Sequence, residues 1–215
     1  MYDILLFDLD GTIVDSSLGI TNSAIYALEK FGIRVEDRRE LYRFIGPPLV
    51  ESFSKFYGFS EQDARRAVEY YRERYRESGI FENEVYEGIP ELLATLRADG
   101  KRIVLATSKP ETFARRILEH VALDSYFDVI AGATLDRTRD TKESVIRYAL
   151  GQLMHGGEGS AVMIGDRLHD VEGARAVGID SIGVLFGFGS REELEAAGAT
   201  YIAATVGEIQ DIVKG

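Results

Sequence analysis

Two kinds of apolar pattern alternate along the chain. Short runs rich in Ile, Val and Leu occupy Ile4–Phe7, Ile103–Ala106, Val129–Ile130, Ala161–Ile164 and Ser181–Val184. Each is mostly apolar without strict alternation, as expected of a strand buried on both faces. Between them lie segments with helical spacing and matching stop signals. "GIPELLATLRADG" carries Pro90 in the first helical turn, where the missing N–H has no partner to lose, and Gly100 where the helix ends. "KPETFARRILEHVAL", "TKESVIRYALGQLM" and "HDVEGARAVG" follow the same logic, the last closing on Gly178. This alternation predicts an α/β fold, a Rossmann-like parallel sheet with helices on both faces. Ligands of such sheets sit beyond the carboxyl ends of the strands.

One long interruption breaks the alternation. From about Ser17 to Ser78 only helical patterns occur. Thr21, Ala24, Ile25, Leu28 and Phe31 share one helix face before Gly32, and Ser60 opens a helix in which Ala64, Val68, Tyr71 and Tyr75 recur at i, i+4, i+7 and i+11. About 60 residues greatly exceed a single crossover helix. The expected organisation is a core of residues 1–14 and 81–215 with an inserted all-helical cap domain of residues 15–80.

Charge and composition narrow the partners. Among 215 residues there are 25 Lys plus Arg and 36 Asp plus Glu, a formal charge of −11. That balance disfavours nucleic acid and anionic membrane surfaces, which reward clustered positive charge, and leaves room for a small anion in one local positive pocket. Without cysteine there is no disulfide, thiolate chemistry or Cys-based zinc site. No basic leader and no stretch of membrane-spanning length is recognisable, so the expected location is cytoplasmic, as a monomer or homodimer.

The candidate chemistry sits at strand exits. "LLFDLDGT" drives a strand into Asp8 and Asp10, which share one side of a pleated chain, with Gly11 allowing a sharp turn. "IVLATSKP" ends its strand on the hydroxyls Thr107 and Ser108. Lys142 opens the helix "KESVIRYAL", where a cation opposes the helix dipole and so hints at a role beyond helix stability. "VMIGDRLHD" ends a strand on Asp166 and places Asp170 one helical turn later. Each alone has a plain structural explanation, such as helix capping by Thr107, Ser108 or Asp166. Together, in this order, they form a constellation.

The ordered set "DLDGT", "ATS", Lys142 and "GDRLHD" resembles the haloacid dehalogenase superfamily of phosphohydrolases, in particular its phosphoglycolate-phosphatase-like and bacterial 5'-nucleotidase-like branch with a helical cap. The resemblance implies a Mg²⁺-dependent phosphatase acting on a small phosphorylated metabolite through an aspartyl-phosphate. Asp8 would be the nucleophile, Asp10 the proton donor and then the base, and Lys142 the holder of nucleophile and transferring oxygens. Thr107 or Ser108 would bind phosphate. The metal would be held by Asp8, the Asp10 backbone carbonyl and Asp166, with Asp170 completing the shell directly or through water. Asp10 argues against dehalogenation, which does without a second aspartate. The segment Arg43–Leu49, "RFIGPPL", with Arg43 and Gly46 as substrate-contacting candidates, is the expected specificity loop. It lacks the Ser-Arg pair usual in the β-phosphoglucomutase-like branch, which stays as the alternative enzyme; a non-enzymatic phosphate-ligand binder is the alternative of another class. Lys30 and Lys55 read as solvated positions rather than Schiff-base lysines.

Other features read as structural. "FGFGS", Phe186 to Ser190, lacks the Lys-Ser/Thr of a nucleotide loop and reads as a structural loop, with a place at the rim of a site as the alternative. "HGGEGS" reads as a turn. His120, His155 and His169 show no ligand spacing. Tyr70, Tyr71 and Tyr75 with "RERYRES" read as an amphipathic helix, since Glu69, Glu73 and Glu77 interleave.

Overall fold

The computed structural model describes residues 2–136, 138–153 and 159–214. Most of the turn expected at "HGGEGS", including His155, lies outside them. In chain order the elements are β1 (Ile4–Phe7), β2 (Val14–Asp15), α1 (Ser17–Glu29), a 3₁₀ segment Arg38–Phe44, α2 (Leu49–Tyr57), α3 (Glu61–Glu77), a 3₁₀ turn Gly79–Phe81 and β3 (Glu84–Val85). There follow α4 (Ile89–Ala98), β4 (Arg102–Pro110), α5 (Glu111–His120), a 3₁₀ turn Asp124–Tyr126, β5 (Val129–Ala133), α6 (Lys142–Gln152) and β6 (Ala161–Gly165). The chain ends with α7 (Leu168–Val177), β7 (Asp180–Val184), α8 (Arg191–Ala197), β8 (Tyr201–Ala203) and α9 (Val206–Lys214). Two compact units result, Met1–Val14 with Val85–Gly215, and Asp15–Glu84. Among the described residues no helix is long and apolar enough to cross a membrane.

The larger unit is built on a six-stranded sheet of order β5-β4-β1-β6-β7-β8, parallel in every pair. Ile4, Leu5, Leu6 and Phe7 are all buried, because β1 lies at the centre with covered faces. On one face Ile4 and Leu6 join Val104, Ala106, Met163 and the α6 residues Val145, Ile146 and Ala149 in one core. Phe7 stands opposite Leu105 of β4 and Ile164 of β6, so Asp8, Ala106 and Gly165 lie at one level, where β1 has ended and β4 runs on. The sixth strand, β8, was not among the runs read from sequence. It has three residues, of which Tyr201 is exposed and Ala203 buried, too short and too mixed to register as an apolar run.

The helical unit carries the expected α3 face, with Ala64, Val68, Tyr71 and Tyr75 buried. Ser60 caps it, accepting from the Asp63 N–H at 3.1 Å. In α1 the buried face is rotated from the expected one. Thr21, Ala24 and Leu28 are buried as read, but Gly19, Ser23 and Ala27 join them while Ile25 and Phe31 are only half-buried. The cause is a close backbone approach: a Cβ on Gly19 would collide with the Gly79 carbonyl, and one on Gly79 would lie 2.7 Å from Ser23 Oγ. Small residues, not large aliphatic ones, line that contact. The rest of the unit packs rings on rings, with Phe44 5.0 Å from Phe53 and Phe31 4.6 Å from Phe59 between centroids.

Candidate active site

Four of the sequence-predicted residues converge where β1 and β6 end. Asp8 directly follows β1, and its N–H continues the ladder to the Ile164 carbonyl at 2.9 Å. Asp166 directly follows β6. Asp170 lies in the first turn of α7, where one carboxylate oxygen accepts from the Arg167 N–H at 3.1 Å. Lys142 opens α6 and is buried, its Nζ 2.9 Å from Asp8 Oδ1 and 2.6 Å from Asp170 Oδ1 and donating to the Ala106 carbonyl at 3.0 Å. The position that opposes the helix dipole is thus occupied by a lysine whose partners are the carboxylates of two other elements.

Asp8, Asp166 and Asp170 each present a carboxylate oxygen, and the three oxygens lie within 4.8 Å of one another. Asp166 Oδ2 accepts from the Phe188 N–H at 2.7 Å, while Oδ1 is buried with no hydrogen-bond partner. Of these three buried carboxylates, Asp8 and Asp170 pair with the one buried ammonium. Burial first, then the charges of Asp170 and Asp8, push the Asp166 carboxyl well above its usual range. Burial likewise raises Asp170, to about 6, against the pull of Lys142. For Lys142 burial alone would lower the ammonium, but Asp170 and Asp8 outweigh it and hold it above its ordinary value. An excess of buried negative charge, hard oxygen donors and an orphaned Asp166 oxygen are what a divalent cation requires of its ligands.

Backbone close to Asp166 has no room for side chains. Gly11 has φ +82°, and a Cβ there would strike the Asp166 carboxylate. A Cβ on Gly187 would meet the same carboxylate and the Gly11 carbonyl. The "FGFGS" loop is therefore the rest on which Asp166 is held, through the Phe188 N–H, a contact between residues 22 apart.

The remaining candidates are placed as follows. Thr107 is buried, and its Oγ1 accepts from the Lys109 N–H at 3.2 Å; Ser108 is half-buried. Neither caps α5, whose N-cap is Pro110, and Asp166 does not cap α7, whose N-cap is Arg167. The Asp10 carboxylate lies outside the three-acid cluster, in a 2.9 Å ion pair with Lys109. Arg43 and Gly46 belong to the helical unit; both are exposed, and the Arg43 guanidinium lies 4.4 Å over the Phe56 ring. His169 is half-buried and lowered by desolvation and by Arg167, and is not in the acidic cluster. Lys109 was missed by the sequence reading. Its only signal was its place two residues beyond Thr107 in "TSKP".

A parallel sheet whose central strand exit gathers three buried acids and one lysine is an α/β architecture with a cluster of oxygen donors that could hold a metal ion. The pattern of the haloacid dehalogenase-like hydrolase family matches residues 5–184. The chain is 46% identical over 213 residues to a 5'-nucleotidase of Pseudomonas aeruginosa, covering 99% of this chain and 96% of that protein. It is 40% identical over 210 residues to the tyrosine-protein kinase PtkA of Mycobacterium tuberculosis, covering 97% of this chain and 71% of that one. The crystal structure of a predicted phosphatase from Clostridium acetobutylicum superposes with a TM-score of 0.93 at 50% identity, covering all of both chains. The chain belongs to the haloacid dehalogenase-like hydrolases, and its enzyme class is that of the phosphoric monoester hydrolases.

Proposed function

We propose that the protein is a Mg²⁺-dependent phosphatase of small phosphomonoesters working through an aspartyl-phosphate, with nucleoside monophosphates ahead of phosphoglycolate-like substrates. The observation that carries this is the buried set Asp8, Lys142, Asp166 and Asp170. A nucleophilic carboxylate can approach a phosphate dianion only where their repulsion is cancelled, and this set provides a fixed ammonium and a ready cation site. The preference for nucleoside monophosphates rests on the name of the 46% identical relative.

In the first half-reaction an Asp8 oxygen bonds to phosphorus and the ester P–O bond breaks, the leaving oxygen taking a proton from Asp10. In the second, water bonds to phosphorus, Asp10 takes its proton, and the bond to Asp8 breaks to release inorganic phosphate. Asp10 ends as it began, which is why one group serves both halves. Lys142 holds the Asp8 carboxylate in line and balances charge on the transferring oxygens. Thr107 and Ser108 donate hydrogen bonds to them. Asp8, Asp166 and the Asp10 backbone carbonyl, with Asp170 directly or through water, would hold Mg²⁺, which would supply charge neutralisation at the phosphoryl group. The helical unit acts as a cap that selects the leaving group through Arg43–Leu49.

The test is phosphate release from nucleoside monophosphates, phosphoglycolate, sugar phosphates and phosphotyrosine with and without Mg²⁺, beside an Asp8→Asn protein. Mg²⁺-dependent release that falls by at least about 10⁴-fold in Asp8→Asn is expected. Equal release from the variant would remove Asp8 as nucleophile, and silence across all substrates would favour the mutase or the binder.

A further inference from the structure

We propose that Lys109 is a positioning residue for Asp10, holding one oxygen of that carboxylate so that the other meets the leaving oxygen of the substrate. This rests on the reading of Asp10 as the proton donor above. The two side chains are 7% and 13% exposed and meet at 2.9 Å through Lys109 Nζ and Asp10 Oδ1. Burying a lysine is costly unless the geometry gives something in return. Here the fold is arranged around it.

Three features place Lys109. β4 is nine residues long and continues past the end of β1. Its pairing with β5 shifts between Thr107 and Pro110, opposite the neighbours Gly132 and Ala133, so Ser108 and Lys109 are extra residues in the ladder. A Cβ on Gly132 would lie 2.6 Å from the Lys109 carbonyl, so β5 is glycine where the bulged backbone presses on it. The Lys109 N–H is then taken up by Thr107 Oγ1. On the other side, the Asp10 backbone is fixed by the turn in which the Gly11 N–H donates to the Val14 carbonyl at 2.9 Å. Backbone fixation leaves the Asp10 side-chain torsions undetermined, and the ion pair settles them. A proton donor must lie within hydrogen-bond reach of the leaving oxygen, and displacement by about 1 Å costs on the order of 100-fold in rate.

A purely structural ion pair, tying the loop after β1 to β4, would slow every substrate alike. Positioning through Asp10 would not do so in the first half-reaction, where proton donation matters in proportion to how poorly the leaving group departs; the second half-reaction is common to all substrates, so the readout is the single-turnover rate of leaving-group release. The experiment therefore compares a nucleoside monophosphate, which leaves as an alkoxide unless protonated, with p-nitrophenyl phosphate, which leaves as a stable phenolate. In Lys109→Met, the single-turnover rate of leaving-group release should fall about 100-fold with the nucleoside monophosphate, at little change in the half-saturating substrate concentration, and by less than about 5-fold with p-nitrophenyl phosphate. Lys109→Arg, which keeps a cation with different reach, should recover part of the loss on the first substrate. Asp10→Asn is the reference and should show the same asymmetry, larger; adding Lys109→Met to it should cost little more, since the two act as one unit.

If Asp10→Asn slows leaving-group release in a single turnover equally for both substrates, the reading of Asp10 itself fails. If Asp10→Asn is asymmetric but Lys109→Met is not, or raises only the half-saturating substrate concentration of the single turnover, the positioning proposal fails and Lys109 is either structural or in contact with the substrate. Melting curves establish that each variant is folded. Should Lys109→Met not fold, the asymmetry is read in Lys109→Arg, where its absence overturns the proposal.

Discussion

The sheet unit and the helical unit treat charge in opposite ways. At the carboxyl end of β1, Asp8, Asp166, Asp170 and Lys142 are all buried, and Asp10 with Lys109 is nearly so. In the helical unit the ion pairs are mostly at the surface, as in Arg65 with Glu61, whose side chains are 61% and 75% exposed. Its interior is aromatic instead. Surface pairs are easily made and worth little, whereas charge removed from water needs partners with good geometry and is found where it has a task. The contrast supports the proposal that the chemistry lies in the sheet unit, while packing holds the helical unit together.

The sharpest way to break that contrast is Lys142→Met. It leaves Asp8 and Asp170 facing each other without their ammonium, so turnover should fall by about 10³-fold. Denaturant unfolding in the presence of a chelator should show a loss of about 3–5 kcal/mol. If stability were unchanged, the buried charge would not be held as described.

On the other side of the comparison, Phe53→Ala should act on stability rather than chemistry. Phe53 is fully buried against Phe44 and Phe59, and its removal leaves a cavity worth about 3–5 kcal/mol. Mg²⁺-dependent hydrolysis of p-nitrophenyl phosphate by the folded fraction should persist. Abolition of that activity in a protein still folded would place reacting groups in the helical unit.

A smaller effect sharpens the electrostatic half. Asp170 titrates at about 6 and Asp166 well above the usual carboxylate range, both raised above the unfolded value of about 3.9. A carboxyl raised by folding contributes stability that is complete below pH ~4 and is lost as pH climbs through 6 and beyond. A divalent cation held by these acids would take the place of the protons. The gain in melting temperature from Mg²⁺ should be near zero at pH 4 and grow to roughly 5 °C by pH 7 to 8 at saturating metal. A gain independent of pH would show that the cation binds away from these acids.

Much of this site was legible in the sequence because its signals are local. A strand that ends in Asp-x-Asp, a second that ends in Asp with another one helical turn on, and a lysine opening a helix against its dipole can each be read within ten residues. The α3 face and its Ser60 cap were legible for the same reason. Residues brought together by strand order and close backbone contact were not. The Asp10–Lys109 pair spans 99 residues and exists because β4 lies beside β1, overruns it and bulges. The Phe188 N–H reaches Asp166 because glycines at 11 and 187 let three stretches of backbone close on one carboxylate. The buried face of α1 turned toward Gly19 and Ser23 because a glycine contact decides how near the helix can come. Periodicity along a chain reports which side of an element is dry, and it determined the α/β class, the helical insert and the acids at the strand exits. Which oxygen each acid offers, and which lysine holds it, depends on distances between elements far apart in sequence, and only the tertiary structure decided those.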